Sequence, residues 1–170
     1  LGGRVIPVNL TPEFAPIIEK ALAQETRLGD HIQMTEAIHT GNVRDKLVVE
    51  EEVDDSCEKL ADGKSIDRYQ VEWSGQYIRY NEGLIDSDEG EYGDLGEREL
   101  FDRGEKLFIR DISYRPVAAY DDNQLFALNK LYSVTQLESS NYSLKFLLAI
   151  FISELVTRYF RHVYGGTHVS

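Results

Sequence analysis

The sequence has 170 residues, of which 42% are hydrophobic, so it can bury the core of one globular domain. Its longest apolar run, residues 146–152, is far shorter than the roughly 20 residues needed to cross a bilayer, which argues against a membrane-spanning segment. The single cysteine, Cys57, excludes an internal disulfide and fits a reducing compartment, so we predict a cytoplasmic protein. Because the chain starts with Leu1-Gly2-Gly3 rather than Met, we expect it to be part of a longer protein.

The net charge of −12 argues against a nucleic-acid partner at first sight, because phosphates are bound through Lys and Arg. The acidic residues are unevenly distributed, however. Residues 50–58 contain six of them, and residues 86–105 contain nine against two arginines. The rest of the chain has fifteen acidic and sixteen basic residues, so it is close to neutral.

The first half of the chain begins with a helix signal. Thr11-Pro12-Glu13 is typical of a helix start, and apolar residues recur at helical spacing after it, which predicts an amphipathic helix over residues 11–24. The following apolar patterns and turn residues predict a strand over residues 28–39, a turn at Thr40-Gly41-Asn42, a strand over residues 46–50 and a short helix over residues 53–60.

The second half is richer in strand patterns. They predict strands over residues 70–72 and 76–80 around a Ser74-Gly75 turn, an exposed acidic loop over residues 85–104, and strands over residues 106–111, 117–120 and 125–134. The run Leu107-Phe108-Ile109 is typical of a strand buried on both faces. The last predicted element is a helix over residues 144–162, apolar on most sides and ended by Gly165-Gly166.

Together these elements predict an α+β fold. An N-terminal helix and a C-terminal helical part would flank a twisted β core, which could be barrel-like. We divide the chain into an N-terminal edge (residues 1–25), a β-rich core (residues 26–135, with the acidic loop 86–105) and a truncated C-terminal helical segment (residues 136–170).

Signals for catalysis or metal binding are weak. Asp86, Asp88, Asp94 and Glu97 occupy four ligand positions of a calcium-loop pattern, but Glu91 stands where that loop requires glycine, which favours a solvated loop. The four histidines have no ligand spacing, and no phosphate-binding glycine loop, serine elbow or paired-cysteine motif is present. We therefore predict no catalytic residue, no metal site and no cofactor site in this chain.

The basic residues outside the acidic stretches are more informative, because many lie at predicted turns or strand ends. Arginine there can donate two hydrogen bonds to a phosphate or to a guanine edge. Ordinary surface cations and internal ion pairs are the alternative, and the residues taken alone favour it. The aromatic residues between Tyr69 and Tyr80 are likewise more often core than base-stacking residues, and we predict that Ile66 and Tyr69 are buried.

Several motifs follow one another along the chain. They are Thr40-Gly41-Asn42, the stretch from Leu60 through Asp62-Gly63-Lys64-Ser65-Ile66-Asp67-Arg68-Tyr69, Tyr77-Ile78-Arg79-Tyr80, Lys106-Leu107-Phe108-Ile109-Arg110, Ala118-Ala119-Tyr120-Asp121, Leu128-Asn129-Lys130-Leu131-Tyr132, and the helix that starts at Tyr142-Ser143. In their order and spacing these motifs resemble the TaqI-like specificity domain of adenine-N6 DNA methyltransferases and of fused restriction-modification enzymes. The similarity covers roughly residues 26 to 165.

The resemblance implies a target recognition domain that binds double-stranded DNA. A separate catalytic methyltransferase domain of the same parent chain would bind S-adenosylmethionine and methylate a flipped adenine. This chain has no Asn-Pro-Pro-Tyr type motif, so we expect it to be non-catalytic by itself. The candidate DNA contacts are Arg44, Lys64, Arg68, Arg79, Arg110, Arg115 and Lys130.

Two departures from the family pattern leave other functions open. Ala61 and Asp62 stand where the family usually has a basic residue, and an acidic insert at residues 86–105 is unusual for a DNA-facing module. One alternative is a protein-interaction module that docks a partner through the acidic loop and the last helix. A second is a metal-dependent enzyme that uses the acidic loop.

Overall fold

The structure is a computed structural model that describes residues 11–164. Helices and strands are intermixed along this part of the chain, which confirms the predicted α+β class. In chain order they are α1 (Ala15–Leu22), β1 (Ile32–Glu36), α2 (Arg44–Leu47), β2 (Val48–Val49), β3 (Cys57–Ala61), β4 (Tyr69–Gln70), β5 (Tyr77–Arg79), α3 (Arg98–Phe101), β6 (Lys106–Arg110), β7 (Ala118–Asp121), β8 (Phe126–Ala127), β9 (Leu131–Gln136), α4 (Leu144–Phe151) and α5 (Glu154–Tyr164).

The strands form two sheets. The larger sheet has the order β1-β9-β6-β7-β4, and the smaller sheet has the order β2-β5-β3-β8. Neighbouring strands are antiparallel except for β4 beside β7 and β3 beside β8, which are parallel. Both sheets are open within residues 11–164, so the β core is not a closed barrel.

The centre of the larger sheet is buried on both faces, as the apolar run in β6 predicts. Phe108 points into a core that it shares with Leu60, Ile78 and Phe126 of the smaller sheet. Its neighbours on either side, Leu107 and Ile109, point the other way and pack with Leu144, Leu148 and Ile152 around α4. Both faces of the strand are buried at its three central residues, which is why Leu107-Phe108-Ile109 is a continuous apolar run.

One charged pair is buried in the middle of this sheet. Lys106 and Asp121 face each other across β6 and β7, and neither side chain is exposed to solvent. The Lys106 Nζ lies 2.7 Å from Asp121 Oδ2 and donates a second hydrogen bond to the Phe101 carbonyl at 2.8 Å. Asp121 also accepts the backbone N–H groups of Asn123 and Leu125. Burial lowers the pKa of the Lys106 amine, and the hydrogen bond that the amine donates to Asp121 opposes that change.

The two terminal helices differ from their predicted bounds. The first begins at Ala15 rather than residue 11, because a helix starting earlier would place Pro16 where its ring clashes with the preceding turn. The predicted helix over residues 144–162 is two helices, which break at Ile152 and Ser153. The Ser153 hydroxyl accepts the N–H of Val156 at 3.2 Å and thus caps α5. The predicted stop at Gly165-Gly166 lies outside the described residues.

Several predictions for the β core are wrong in detail. Residues 57–61 form strand β3, not the end of a helix, and residues 44–47 form helix α2 before a strand of only two residues. The predicted strand over residues 28–39 begins with a turn of 3₁₀ helix and is regular only over β1. The predicted strand over residues 125–134 is divided between β8 and β9, because a tight turn at Lys130 interrupts it.

Short strands do lie on either side of the predicted Ser74-Gly75 turn, but they do not pair with each other. Gly75 has a positive φ of 84°, and β4 before it belongs to the larger sheet while β5 after it belongs to the smaller sheet. This segment therefore links the two sheets. Ile66 is buried as predicted, whereas Tyr69 is 55% exposed, because it lies on the edge strand β4.

Residues 85–104 are more ordered than the predicted exposed loop. They contain α3 and one short 3₁₀ turn at Ser87–Glu89, and Leu95, Leu100 and Phe101 are buried. The Phe101 ring stacks on Phe126 with the ring centres 4.7 Å apart. Between residues 11 and 164, no helix combines the length and the apolar character that a membrane span requires.

Candidate nucleic-acid interface

Four of the seven predicted DNA contacts lie together around one cleft of about 460 Å³. We call it the basic cleft. The turn after β3, the end of β6, the turn between β8 and β9 and the start of α2 surround it. Its lining residues are Arg44, Asp62, Gly63, Lys64, Arg110, Ile112, Leu128, Asn129 and Lys130.

The turn at residues 62–65 presents Lys64 on a fixed base. The Asp62 carboxylate accepts the N–H of Lys64 at 2.8 Å and both the N–H and the hydroxyl of Ser65 at 3.0 Å. Burial raises the pKa of the Asp62 carboxyl, but these hydrogen bonds outweigh it and hold the pKa below its usual value. Asp62 is the one carboxylate among the residues that line the basic cleft, and its oxygen is used within its own turn.

Lys130 lies at the opposite turn in a conformation that is costly for a residue with a side chain. Its φ is +89°, in the left-handed region. The Lys130 carbonyl accepts the N–H of Asp111 at 2.9 Å, and the N–H of Leu131 bonds the Leu128 carbonyl at 3.1 Å, so the turn is held from two sides. Strained positions of this kind cluster at functional sites, which supports a binding role for Lys130.

The two turns are close to each other. A Cβ atom built on Gly63 would lie 3.9 Å from the Lys130 Cβ, an ordinary contact distance, and the φ of Gly63 is not positive. Lys64 and Lys130 therefore project from adjacent turns.

Arg110 and Arg44 complete the cations of the basic cleft. Arg110 is half-buried and donates from Nη2 to the Ile66 carbonyl, while its buried Nε–H has no hydrogen-bond partner among residues 11–164. Arg44 is exposed at the first residue of α2. The result is four positive charges against one hydrogen-bonded carboxylate, a surface suited to a polyanion.

The remaining three predicted contacts are not among the residues that line the basic cleft. Arg68 donates from Nη2 to the Ile152 carbonyl, which the break between α4 and α5 leaves free. Arg79 forms an ion pair with Asp54 at 2.7 Å. Arg115 is exposed, two residues beyond the loop residue Ser113.

The acidic segment (residues 86–105) packs against the residues that flank Arg44 in the chain, Asn42 and Lys46. Its Tyr92 exchanges backbone and side-chain hydrogen bonds with Asn42, and its Asp94 pairs with His39 through two backbone hydrogen bonds of 2.7 and 2.8 Å. Arg98 pairs with Glu58 and lies 5.4 Å from the centres of the Tyr80 and Phe126 rings. None of its residues lines the basic cleft. Within the described chain, no three His, Cys, Asp or Glu side chains are grouped so as to hold a metal ion.

Comparison with known families finds one matching family. A family model described as the TaqI-like C-terminal specificity domain matches residues 58–168, more than half of the chain. The chain belongs to this family. No curated protein matches it. The TaqI-like match begins at β3, so it includes Lys64, Arg110 and Lys130 of the basic cleft, whereas Arg44 and the rest of the resemblance predicted before residue 58 lie outside it.

Sequence reasoning missed some residues of this surface. Asn129 and Ile112 line the basic cleft but were not predicted as contacts. Asn129 lies within one of the matched motifs, beside Lys130, and that position was a usable signal. Ile112 follows a predicted strand and looks like its last core residue in the sequence, although its side chain is 56% exposed.

Proposed function

We propose that this TaqI-like specificity domain binds double-stranded DNA through the basic cleft and recognises the target sequence of a restriction-modification enzyme. The parent would carry an adenine-N6 DNA methyltransferase domain that uses S-adenosylmethionine, alone or fused to a nuclease. This chain would be non-catalytic. One observation carries the proposal: four cations from four separate elements meet in one cleft, on a domain whose family is defined by specificity.

The chemistry of the cleft fits a DNA backbone. Lysine and arginine side chains neutralise phosphates and release condensed counterions, so each contact contributes to affinity without requiring a particular base. Lys64 and Lys130 are exposed on turns that are already hydrogen-bonded, so holding them against a phosphate costs little backbone entropy. An overall charge of −12 does not oppose this, because none of the residues of the acidic segment lines the basic cleft.

A salt titration of DNA binding by the full-length protein tests the proposal. The variant combines Arg44→Ala, Lys64→Ala and Lys130→Gly. Glycine replaces Lys130 because alanine would keep the strain of a positive φ. Arg110 is left in place, since it holds the Ile66 carbonyl. Because each phosphate contact adds about 0.9 to the slope of log affinity against log salt, the slope should become shallower by about 2.7.

The matched control removes three exposed cations that do not line the basic cleft: Lys20→Ala, Arg103→Ala and Arg158→Ala. It changes the net charge by the same amount and should leave the slope within about 0.5 of the wild-type value. Equal slopes for the cleft variant and the wild type would contradict the proposal.

A further inference from the structure

A short loop beside the basic cleft exposes apolar side chains that the proposed phosphate contacts do not explain. Residues 111–116 join β6 to β7, and we call them the 111–116 loop. Its base is fixed by two backbone hydrogen bonds, from Arg110 to Val117 at 3.0 Å and from Asp111 to Lys130 at 2.9 Å. The second of these bonds ties the loop directly to a cation of the basic cleft.

Two large hydrophobic side chains project from this loop. Tyr114 is 84% exposed, the highest value among the exposed large hydrophobic side chains of residues 11–164, and Ile112 is 56% exposed while also lining the basic cleft. A single exposed apolar residue is common and needs no explanation. Here, however, two of them alternate along a loop with a fixed base, beside four cations, and Arg115 follows Tyr114 directly.

We propose that Tyr114 is a base-reading residue: when duplex DNA occupies the basic cleft, the 111–116 loop enters the adjacent groove and the Tyr114 ring contacts the base edges. This inference rests on the proposed function. A protein reads sequence through hydrogen bonds and apolar contacts to base edges, whereas phosphate contacts fix only its position. The cations would supply position, and Tyr114 with Ile112 would supply the apolar contacts, for example to a thymine methyl group.

The positive charge of the basic cleft, beside the 111–116 loop, favours DNA as the ligand that the loop contacts. The basic cleft attracts the phosphate backbone, and a backbone held there brings a groove beside any loop that projects from the rim of the cleft. Arg115 can contact a phosphate at the edge of the same groove, which fits its prediction as a DNA contact. An apolar protein partner would have to cover the charged side chains of Arg44, Lys64 and Lys130.

A selection experiment with the full-length protein tests the role of Tyr114. A pool of duplexes with 20 randomised base pairs is selected with the wild type, and affinities are then measured for the enriched sequence and for the unselected pool. Tyr114→Ala should lower the ratio of the two affinities by about tenfold or more, the usual effect of losing one base contact. Affinity for the pool and the salt slope should not change, because no phosphate contact is lost.

Two further variants separate the possible results. Tyr114→Phe keeps the ring and should retain most of the ratio. Tyr92→Ala removes a tyrosine that is 60% exposed on the acidic segment and should behave as the wild type. An unchanged ratio in Tyr114→Ala, with the cleft variant still weakened, would overturn this inference and leave the proposed function standing. A wild type that enriches no sequence would also overturn it. Salt slopes equal for the wild type and the cleft variant would overturn the proposed function itself.

Discussion

At the scale of single residues, Lys106 and Asp121 form an ion pair that is fully buried. A buried charge is stable only when its partners replace the lost water, and here each group has more than one partner. The pair joins β6 to β7 next to the turn at residues 121–125. It therefore fixes the hairpin whose other end carries the 111–116 loop.

Asp121→Ala should destabilise the protein by about 3–5 kcal/mol, because it leaves the Lys106 amine buried without its partner. Two backbone N–H groups would lose their acceptor as well. Urea unfolding measures the change. The control is Glu154→Ala, which breaks the exposed i,i+4 pair with Arg158 and should cost no more than about 1 kcal/mol. Equal effects of the two substitutions would contradict this account of the pair.

At the scale of elements, the acidic segment is part of the fold and not a detachable loop. Phe101 fills the core against Phe126, and Asn42 and His39 fix the segment by hydrogen bonds. Deleting it would remove buried apolar side chains and unfold the core, so deletion cannot test whether its charge docks a partner. Neutralising its exposed carboxylates can.

We expect DNA binding to survive that neutralisation. The changes are Asp88→Asn, Glu89→Gln, Glu97→Gln and Glu99→Gln, all at exposed positions. Removing negative charge should leave DNA affinity equal or slightly higher at 0.1 M salt, because charges more than about 10 Å apart are largely screened. Affinity for a duplex and the melting temperature are measured in the full-length protein. Loss of DNA binding, or of assembly with the catalytic domain, would favour the interaction-module alternative.

Some elements could be predicted from the sequence because local chemistry decides them. The apolar run of β6 requires two buried faces, and Ser143 accepts the N–H of Phe146 as the cap of α4, so both elements start within a few residues of their predicted positions. Other elements depend on distant partners. Residues 57–61 form a strand because β5 and β8 lie on either side, and their own pattern does not specify this.

The break between α4 and α5 shows the same limit. Apolar residues continue across Ile152, so periodicity alone predicts one helix, although Ser153-Glu154 is a usable start signal. At the break, the Arg68 guanidinium donates a hydrogen bond to the Ile152 carbonyl. Arg68 lies 84 residues earlier in the chain. The basic cleft shows this limit too. Each of its four cations could be predicted from its place at a turn or strand end, but they come together only because the two sheets meet there.

At the scale of the whole molecule, different segments carry the charges of opposite sign. The acidic segment packs beside the turn at residues 39–42, and the basic cleft lies where the turns at residues 62–65 and 128–130 meet. This uneven distribution would orient the protein on a polyanion before any base is read, because the acidic segment is repelled while the cleft is attracted.

Hydrogen–deuterium exchange of the full-length protein, with and without a bound duplex, tests the location of the DNA most directly. Contacts at the basic cleft should slow exchange at residues 62–65, 110–114 and 128–131, and leave residues 86–104 unchanged. This pattern would place the DNA on Lys64, Arg110 and Lys130 of the basic cleft and on the 111–116 loop. Protection confined to residues 86–104, or no protection at the turns of the basic cleft, would contradict the account.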